Sequence, residues 1–501
     1  MHQPVRRAAG AGAVSQDSLS PAEGACGVGT AGQVMSVTPQ CPPDAATRRR
    51  AVRIHLCTAA ILLAVYLGWY AGVWPGPMGQ DGYSLVANIN QGGARYTDKD
   101  PAWLLYALGT YGLSHRIEVL VLPLVLLQVL ILTRLIGWLY VQRQPLAATG
   151  LLVLVACAPH VLNFATSLYP DAIFSLAFVG LLFEIWLALR RGHLNGWTIA
   201  ALFVLFPAAC YFKGNGIVML VPVAYLAMRL KGGSRWLVVA IALSWTLAIQ
   251  WGGKVADLGR GHGALKPLIL FETVNFMQTR PMNLWETRHM VTDRTREIMA
   301  RHISQEDIDR LYDRDYWDTL WHQNQDRVRF RHMSKTDFRH LRSDFLTYNL
   351  WRNLPAFTAS RVNIFLASAL AQGGMVGPDN ARHGLRAVDT LSVYNPFGFT
   401  RLPDTLNQLF HASYNWRFLL WSPFVGVALI GLCLRRSLRH RDPDALVISG
   451  TLLVQLLGVF LFSIAAEYRY LLIFFYAPLL LLPMVLVRAA GQTPPRAQAA
   501  A

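Results

Sequence analysis

Charged residues are scarce in this sequence. Asp, Glu, Lys and Arg make up 15% of the 501 residues, whereas soluble globular domains carry about 25%. Acidic residues are the scarcest, with 29 Asp and Glu against 46 Lys and Arg. The hydrophobic fraction is 53% and the mean hydropathy is +0.31. This composition excludes an ordinary soluble domain, and apolar runs of about 20 residues predict transmembrane helices.

Cysteine is also rare, and its six positions form no CxxC pair and no metal-ligand spacing. Cys57, Cys157, Cys210 and Cys433 fall in apolar segments, where a thiol behaves as a small hydrophobic side chain. The cysteines therefore indicate neither a disulfide framework nor a metal centre.

The positive charge is concentrated in short loops and tails between apolar runs. The formal net charge is +17, with clusters at Arg190-Arg191 and at 229–235 and 435–441. An excess of Lys and Arg in such loops is typical of the cytoplasmic side of a membrane protein. Because no segment looks like a base-reading module, we predict no nucleic-acid partner.

Residues 1–47 lack apolar periodicity and are predicted to be a disordered tail. The tail has no hydrophobic core of a signal peptide, and Met35 is an alternative start. The basic run "RRRAVR" at 48–53 precedes the first apolar segment and predicts a cytoplasmic N-terminus.

We predict an all-α, multi-pass protein of a bacterial cytoplasmic (inner) membrane, with about ten transmembrane helices and both termini in the cytoplasm. The predicted spans are 54–74, 117–140, 147–167, 171–190, 196–212, 216–231, 235–252, 417–435, 444–465 and 469–488. Within 196–231, "FKGNG" interrupts the apolar run, and we interpret it as a tight hairpin with Lys213 at the outer rim.

Two long segments then fall outside the membrane. The N-terminal membrane module is 48–252 and includes a first outer loop at 75–116; an outer region with interfacial helices covers 253–416. The C-terminal helices cover 417–490, and 491–501 form a second disordered tail. Residues 348–374 are apolar enough to lie on or dip into the membrane, or to form an extra pair of spans. No internal repeat is visible, which disfavours a transporter built from two inverted halves.

Three charged motifs share the outer face in this threading. They are "GQDGYSLVANIN" with Asp81, "YTDKDPAWLLY" with Lys99 between Asp98 and Asp100, and "SLYPDAIFSLAFVG" with Asp171. Helix capping or a turn explains each aspartate singly, and a surface ion cluster explains the lysine. Their common face favours a site instead, because a carboxylate can accept a hydroxyl proton and a lysine can bind a lipid phosphate.

Further charged residues lie near or inside the predicted spans. Glu467 and Arg469 are interpreted as an interfacial salt bridge or as phosphate recognition by the arginine, and Lys213 as a snorkelling lysine or a site residue. His160 and Glu184 lie within spans, where ionisable groups suggest function. Glu184 is also close enough in sequence to pair with Arg190.

These motifs resemble a known family. "DGYSLVAN" followed by "DKDPAWLLY" is similar to the first outer loop of C-type polytopic glycosyltransferases, in particular the protein-mannosyltransferase and aminoarabinose-transferase group. "SLYPDAIFSLAFVGLLFE" resembles the second acidic loop of that group. "YFKGNGIVMLVPV" resembles its Lys-Gly segment, and "RYLLIFFYAPLLLLP" the Arg-Tyr run near the end of its membrane module.

The resemblance implies a GT-C-like fold and sugar transfer from a polyprenyl-phosphate donor to a glycan, lipid or protein acceptor of the cell envelope. It implies Asp81 as the base or orienting carboxylate and Asp171 as a second site carboxylate. The residues that it implies at the substrate or lipid phosphate are Lys99, Lys213, Arg469, Tyr83 and Asp98.

The sequence departs from the family pattern at two positions. Gly82 replaces the acidic residue that usually follows the first aspartate, and Asp100 replaces the first proline of a Lys-Pro-Pro run. A single carboxylate suits a donor whose one phosphate is held by basic side chains, so we expect no cofactor and no divalent metal. The alternatives are a flippase or transporter of a lipid-linked glycan, an O-antigen-type polymerase or ligase, and an assembly subunit.

Overall fold

The computed structural model describes residues 45–92, 100–256, 258, 265–279, 290–373 and 376–487. Both predicted tails, apart from the helical residues 45–47, lie outside the described residues, as do Asp98 and Lys99. Within these ranges the protein is all-helical, and its extended structure is limited to an isolated antiparallel bridge between Tyr316 and Ala465.

The helices fall into three groups along the chain. The first group is α1 (Ala45–Gly72), α2 (Gln80–Asn90), α3 (Pro101–Ser114), α4 (Ile117–Val141), α5 (Pro145–Ala156), α6 (Pro159–Ala165), α7 (Asp171–Arg191), α8 (Gly196–Tyr211), a 3-10 turn (Gly214–Met219), α9 (Leu220–Arg229) and α10 (Gly233–Val255). The second is α11 (Leu265–Phe276), α12 (Asp293–Ala300), α13 (Gln305–Leu311), α14 (Lys335–Asp344), α15 (Leu350–Arg352), α16 (Leu354–Ala369), α17 (Asn380–Ala387) and α18 (Leu402–Asn415). The third is α19 (Arg417–Leu420), α20 (Phe424–His440), α21 (Pro443–Phe462), a 3-10 turn (Tyr468–Leu471), α22 (Leu472–Tyr476) and α23 (Pro478–Leu486).

Seven helical segments in the described part of the chain are long and apolar enough to cross a membrane. They are Ala45–Gly72, Ile117–Val141, Asp171–Arg191, Gly233–Val255, Arg417–His440, Pro443–Phe462 and Tyr468–Leu486. The bent pair α5–α6 makes an eighth if it is counted as one span. The prediction of an all-helical, multi-pass membrane protein is confirmed in this coarse form. The count of ten stays a prediction, because α8 and the Gly214–Arg229 segment are shorter apolar helices.

Helix α7 forms the centre of the bundle. Every residue from Asp171 to Ala188 is buried, and α7 packs against α4, α8 and α22. A helix that is apolar all round is stable only where other helices enclose it, and "AIFSLAFVGLLFEIWLAL" has that pattern. At a rise of 1.5 Å per residue, Asp171 and Arg191 lie at opposite ends of the bundle.

A second apolar core lies between α11 and α16. It joins side chains such as Phe271, Met299, Phe330 and Leu341 and is distinct from the core of the membrane bundle. We call this part of the chain the 265–369 unit. It is attached to the bundle through α16, which packs against α21 and the Tyr468–Leu471 turn.

Candidate functional site

The segment that follows α1 packs closely against the segment that precedes α7. The Leu168 amide donates to the Pro77 carbonyl oxygen at 3.1 Å. Gly79 lies so close to Tyr169 that a Cβ on the glycine would be 1.9 Å from the phenol oxygen. Gly76 has φ +128°, and its Cβ would be 2.5 Å from the Thr166 carbonyl oxygen. Only glycine permits both approaches, and they bring the first turn of α2 beside the first turn of α7.

Arg469 connects the two aspartates that begin these helices. Its Nη1 donates to Asp81 Oδ2 and lies 3.8 Å from Asp171 Oδ2. Its Nε donates to Glu467. The arginine belongs to the 3-10 turn Tyr468–Leu471 at the start of the last apolar segment. One guanidinium therefore faces three carboxylates from three distant parts of the chain.

Lys213 supplies a second cation on the other side of Asp171. Its ammonium donates to Asp171 Oδ1. The lysine lies between α8 and the Gly214–Met219 turn, where the chain reverses. The Asp171 side chain is only 2% exposed, and its Oδ2 accepts no hydrogen bond from the described residues. Two cations thus compensate a carboxylate that would otherwise be costly to bury.

Aromatic rings enclose both cations. The Arg469 guanidinium lies 4.5 Å from the centre of the Tyr169 ring and 5.2 Å from that of Tyr470. The Lys213 ammonium lies 4.8 Å from the same Tyr470 ring. Ring faces attract cations, so the tyrosines hold both groups in place without removing their charge. Burial raises the pKa of the Tyr169 hydroxyl, and the nearby Arg469 opposes that shift.

We call Asp81, Asp171, Lys213, Glu467 and Arg469 the charged cluster. It contains three carboxylates and two cations. The Asp81 side chain is 35% exposed and that of Arg469 is 14% exposed, so the cluster is accessible from the Asp81 side and closed at Asp171.

The 265–369 unit also reaches the charged cluster. The Tyr316 hydroxyl donates to Glu467 Oε1 at 2.7 Å, and the Ala466 amide donates to the Asp315 carbonyl oxygen at 2.8 Å. Burial, together with the Glu467 charge, raises the pKa of Tyr316. The hydroxyl therefore remains protonated at neutral pH and acts as a donor to Glu467, which in turn accepts from Arg469.

The structure brings four of the seven predicted site residues together: Asp81, Asp171, Lys213 and Arg469. Lys99 and Asp98 lie outside the described residues. The residue that follows them, Asp100, lies near Gly214, whose Cβ would be 3.4 Å from Asp100 Oδ1.

Tyr83 points toward α17. A Cβ on Gly384 would be 3.2 Å from the Tyr83 Cε1, and burial, together with Asp379, raises the pKa of Tyr83. Residues two positions apart do not share a helix face, which explains why Tyr83 and Asp81 diverge along α2.

The tyrosines of the site were not predicted from the sequence. Tyr169 and Tyr470 belong to the motifs "SLYPD" and "EYRYL". A tyrosine within two positions of Asp171 or Arg469 was therefore an available signal. Tyr316 lies in a region without a motif, and its contact with Glu467 had no such signal.

The two ionisable residues inside the spans occupy separate environments. Glu184 accepts from Arg134 Nε at 2.7 Å and not from Arg190, whose Nη1 donates to the Val487 carbonyl oxygen. The suggested Glu184–Arg190 pair is therefore wrong, because residues six positions apart do not share a helix face, whereas α4 packs beside α7 and supplies Arg134. His160 is enclosed by aromatic rings and stacks on Trp421 with ring centres 4.7 Å apart.

In the described part of the chain, no group of three or more His, Cys, Asp or Glu is arranged to hold a metal ion. Comparison with known proteins gives no match: no family model, no curated protein and no solved structure is significantly similar to this chain.

Proposed function

We propose that the protein is a membrane glycosyltransferase that uses a polyprenyl-phosphate sugar as donor and inverts the anomeric carbon. The proposal is carried by one observation: Asp81, which is partly exposed, shares Arg469 with the buried Asp171, and Lys213 flanks the same aspartate. The short motifs that resemble C-type glycosyltransferases supply these four residues, and the same resemblance motivates a GT-C-like architecture.

The two cations match the charge that develops in such a transfer. The donor is a phosphodiester with one negative charge, and the departing polyprenyl phosphate gains a second. Arg469 and Lys213 stabilise that developing charge, and fixed cations in a partly enclosed site need little reorganisation during the reaction. Arg469 can also present two parallel N–H donors to a phosphate.

Asp81 is the group that activates the acceptor. Its carboxylate removes the proton of an acceptor hydroxyl while that oxygen bonds to the anomeric carbon. The bond from the anomeric carbon to the phosphate oxygen breaks on the opposite face, and polyprenyl phosphate leaves. Asp171 keeps Lys213 and Arg469 in position and does not exchange a proton with the acceptor.

Ligand binding rearranges the ion pairs of the cluster. In the structure, Arg469 is occupied by Asp81 and Glu467. A donor phosphate that binds the guanidinium displaces Asp81, which is the most exposed of its carboxylate partners. The released carboxylate is then available for the acceptor hydroxyl, so donor binding precedes activation of the acceptor.

We place the charged cluster on the outer face of a bacterial cytoplasmic membrane, with both termini inside. The basic end of α7, with Arg190 and Arg191, lies opposite Asp171. Basic helix ends favour the cytoplasmic side. The acceptor is then a glycan, lipid or protein of the cell envelope.

The test uses purified protein in liposomes with a panel of labelled polyprenyl-phosphate sugars and a cell-envelope extract as the acceptor source. We expect label to move to an acceptor, and Asp81→Asn to lower the rate at least about 100-fold, as loss of a general base does. The matched control is Asp404→Asn, an exposed aspartate in the first turn of α18.

Each other outcome counts against the proposal. Movement of the donor between leaflets without product would indicate a flippase, and growth of a polymer from lipid-linked units would indicate a polymerase. Full transfer by Asp81→Asn would remove the assigned role of that residue.

A further inference from the structure

A groove open to the surface lies between α4, α7 and α8, away from the charged cluster. It is lined by side chains from all three helices. Its walls are almost entirely apolar, and they include Leu127, Leu130 and Ile131 from α4 and Ala200, Val204 and Leu205 from α8. Leu130 and Val204 are 51% and 47% exposed, so the groove opens onto the outer surface of the bundle.

One end of the groove is charged. Arg134 and Glu184 line it there, and they form an ion pair of 2.7 Å in which Arg134 uses its Nε. The Arg134 side chain is 18% exposed, against 4% for Glu184. Arg191 is near enough to interact electrostatically with both, and its Nη1 is buried without a hydrogen-bond partner among the described residues. Two cations and one carboxylate leave this end with a net positive charge.

Trp197 indicates where the charged end of the groove lies relative to the membrane surface. It is the second residue of α8, is 56% exposed, and its ring centre lies 6.0 Å from the Arg134 guanidinium. Exposed tryptophans at the ends of membrane helices lie at the level of the lipid headgroups. From Trp197 to Leu205, α8 runs about 12 Å into the bundle at 1.5 Å per residue, so the apolar part of the groove extends from the headgroup level into the hydrocarbon region.

We propose that this groove binds an anionic phospholipid of the leaflet opposite the charged cluster. The phosphate lies beside Arg134 and Arg191, and one acyl chain occupies the apolar walls between α4 and α8. Basic pockets between transmembrane helices are suited to anionic headgroups. The exposed leucine and valine side chains make the groove continuous with the lipid-facing surface, which favours a lipid over a water-soluble anion.

The experiment is native mass spectrometry of the full-length protein after detergent removal of bound lipid. The protein is titrated with phosphatidylglycerol and with phosphatidylcholine of the same acyl chains. We expect about fivefold tighter binding of phosphatidylglycerol, because this end carries one net positive charge and a basic residue near an anionic headgroup contributes about 1 kcal/mol. Inorganic phosphate at millimolar concentration should not compete.

Two variants separate the acyl chain from the headgroup. Ala200→Phe fills the groove from an exposed position and should lower the affinity for both lipids; the matched control is Ala240→Phe, at an exposed alanine of the spanning helix α10. The triple variant Arg134→Gln, Glu184→Gln and Arg191→Gln removes every charge at this end while keeping hydrogen-bonding groups in place, and it should abolish the preference for phosphatidylglycerol. Equal binding of the two lipids by the unmodified protein, or unchanged binding by Ala200→Phe, would overturn the proposal. Because Ala200→Phe adds volume only at an exposed position, it tests the proposal even if the triple variant does not fold. This proposal is independent of the glycosyltransferase assignment, since its measurement requires no activity.

Discussion

Arg469 donates a hydrogen bond to Asp81, although 388 positions separate the two residues in the sequence. The contact joins the start of α2, which follows the first membrane helix, to the 3-10 turn that begins the last apolar segment. It therefore forms only when the two ends of the membrane bundle have come together, and the charged cluster is a product of the complete fold.

The first prediction concerns the coupling between these two residues. Replacing Arg469 by Gln removes the cation from three carboxylates, whereas Asp81→Asn removes one of its acceptors. We expect the effects on the free energy of unfolding to be non-additive by about 0.5–3 kcal/mol, as for other contacting charged pairs. Thermal unfolding of the two single variants and the double variant in detergent measures the coupling.

The control for this cycle is Arg417→Gln. Within the described part of the chain, the Arg417 guanidinium donates to the carbonyl oxygens of Ala371 and Tyr414, so its loss should add to that of Asp81→Asn without coupling. Additive effects for Arg469→Gln would show that its contact with Asp81 contributes nothing to stability.

The second prediction tests whether the 265–369 unit takes part in the site. Tyr316→Phe removes the hydroxyl that holds Glu467 at 2.7 Å. Hydrogen bonds to charged groups contribute about 1.5–3 kcal/mol, and a Glu467 that is less well held positions Arg469 less well. We expect the transfer rate to fall about tenfold or more, since 1.4 kcal/mol corresponds to a factor of ten.

Tyr225→Phe is the matched control for Tyr316→Phe. Its hydroxyl donates to Asp444 at the same distance of 2.7 Å, but the pair joins α9 to the start of α21, away from the charged cluster. Equal loss of transfer by both variants would mean that the Tyr316 effect is merely one of stability.

The membrane helices can be predicted from the sequence because the lipid bilayer requires each span to be long and apolar. A span must present about 20 apolar residues, so segments such as 117–140 and 171–190 are visible without knowledge of their partners. The same reasoning identifies the apolar stretch that contains α16, but it does not show which helices pack against each other. Within 196–231, the two predicted spans, 196–212 and 216–231, coincide with the apolar helical segments Gly196–Tyr211 and Gly214–Arg229, which are shorter than the other candidate spans.

Long-range pairing explains what the sequence does not predict. Glu184 is six positions from Arg190, yet it pairs with Arg134 because α4 and α7 pack side by side. The contact of Tyr316 with Glu467 depends on how the 265–369 unit meets the bundle. Charged motifs could nominate Asp81, Asp171, Lys213 and Arg469 individually, but only packing decides which cation faces which carboxylate.

The third prediction concerns the ion pair between Glu272 of α11 and Arg361 of α16. Arg361 and Glu272 are both fully buried, and Arg361 also donates to the carbonyl oxygens of Leu461 and Ser463 at the end of α21. Arg361→Met leaves a buried carboxylate without its cation and should cost about 3–5 kcal/mol.

Adding Glu272→Gln to Arg361→Met should recover part of that loss, because a neutral amide needs no counter-charge. The exposed pair Arg301–Asp337 provides the comparison, with side chains 56% and 23% exposed; Arg301→Met should cost less than about 1 kcal/mol. A double variant that is less stable than Arg361→Met alone would contradict this account. Chemical or thermal unfolding in detergent provides the measurement.

The fourth prediction is a dependence of stability on acid pH. Hydrogen bonds from Arg294, and then from Thr292, lower the pKa of Asp344 below its ordinary value of 3.8. The folded protein therefore favours the ionised form, and the stabilisation is fully present above the pKa of the unfolded chain. It is lost as the pH falls from about 4 through the lower folded pKa.

Asp344→Asn should accordingly be less stable than the unmodified protein at pH 6, by about 1.5–3 kcal/mol, and the difference should shrink at pH 3. Asp293→Asn is the control, since the Asp293 side chain is 89% exposed. Unfolding temperatures at the two pH values give the comparison, and a difference that is constant with pH would show that Asp344 is not the titrating group.

The fifth prediction concerns the apolar face of α16. Leu354, Val362 and Leu366 lie on one side of the helix and are 44%, 41% and 44% exposed. Helix α16 packs against α21 through Phe365, whose ring centre lies 5.8 Å from that of Phe460, and Leu457 and Leu461 of α21 are 48% and 39% exposed. The exposed faces of α16 and α21 are therefore neighbours, and we expect lipid to cover both.

Cysteine labelling in liposomes tests this position. In a variant without the native cysteines, Val362→Cys and Leu366→Cys should react at least about tenfold more slowly with a membrane-impermeant maleimide than Arg296→Cys, because a thiol in hydrocarbon is neither hydrated nor ionised. The Arg296 side chain is 39% exposed, so the three positions are matched in exposure. Liposomes made permeable to the reagent remove any effect of protein orientation, and labelling in denaturing detergent confirms that each thiol is intact. Equal labelling of all three positions would show that α16 faces water and that the 265–369 unit stands clear of the membrane.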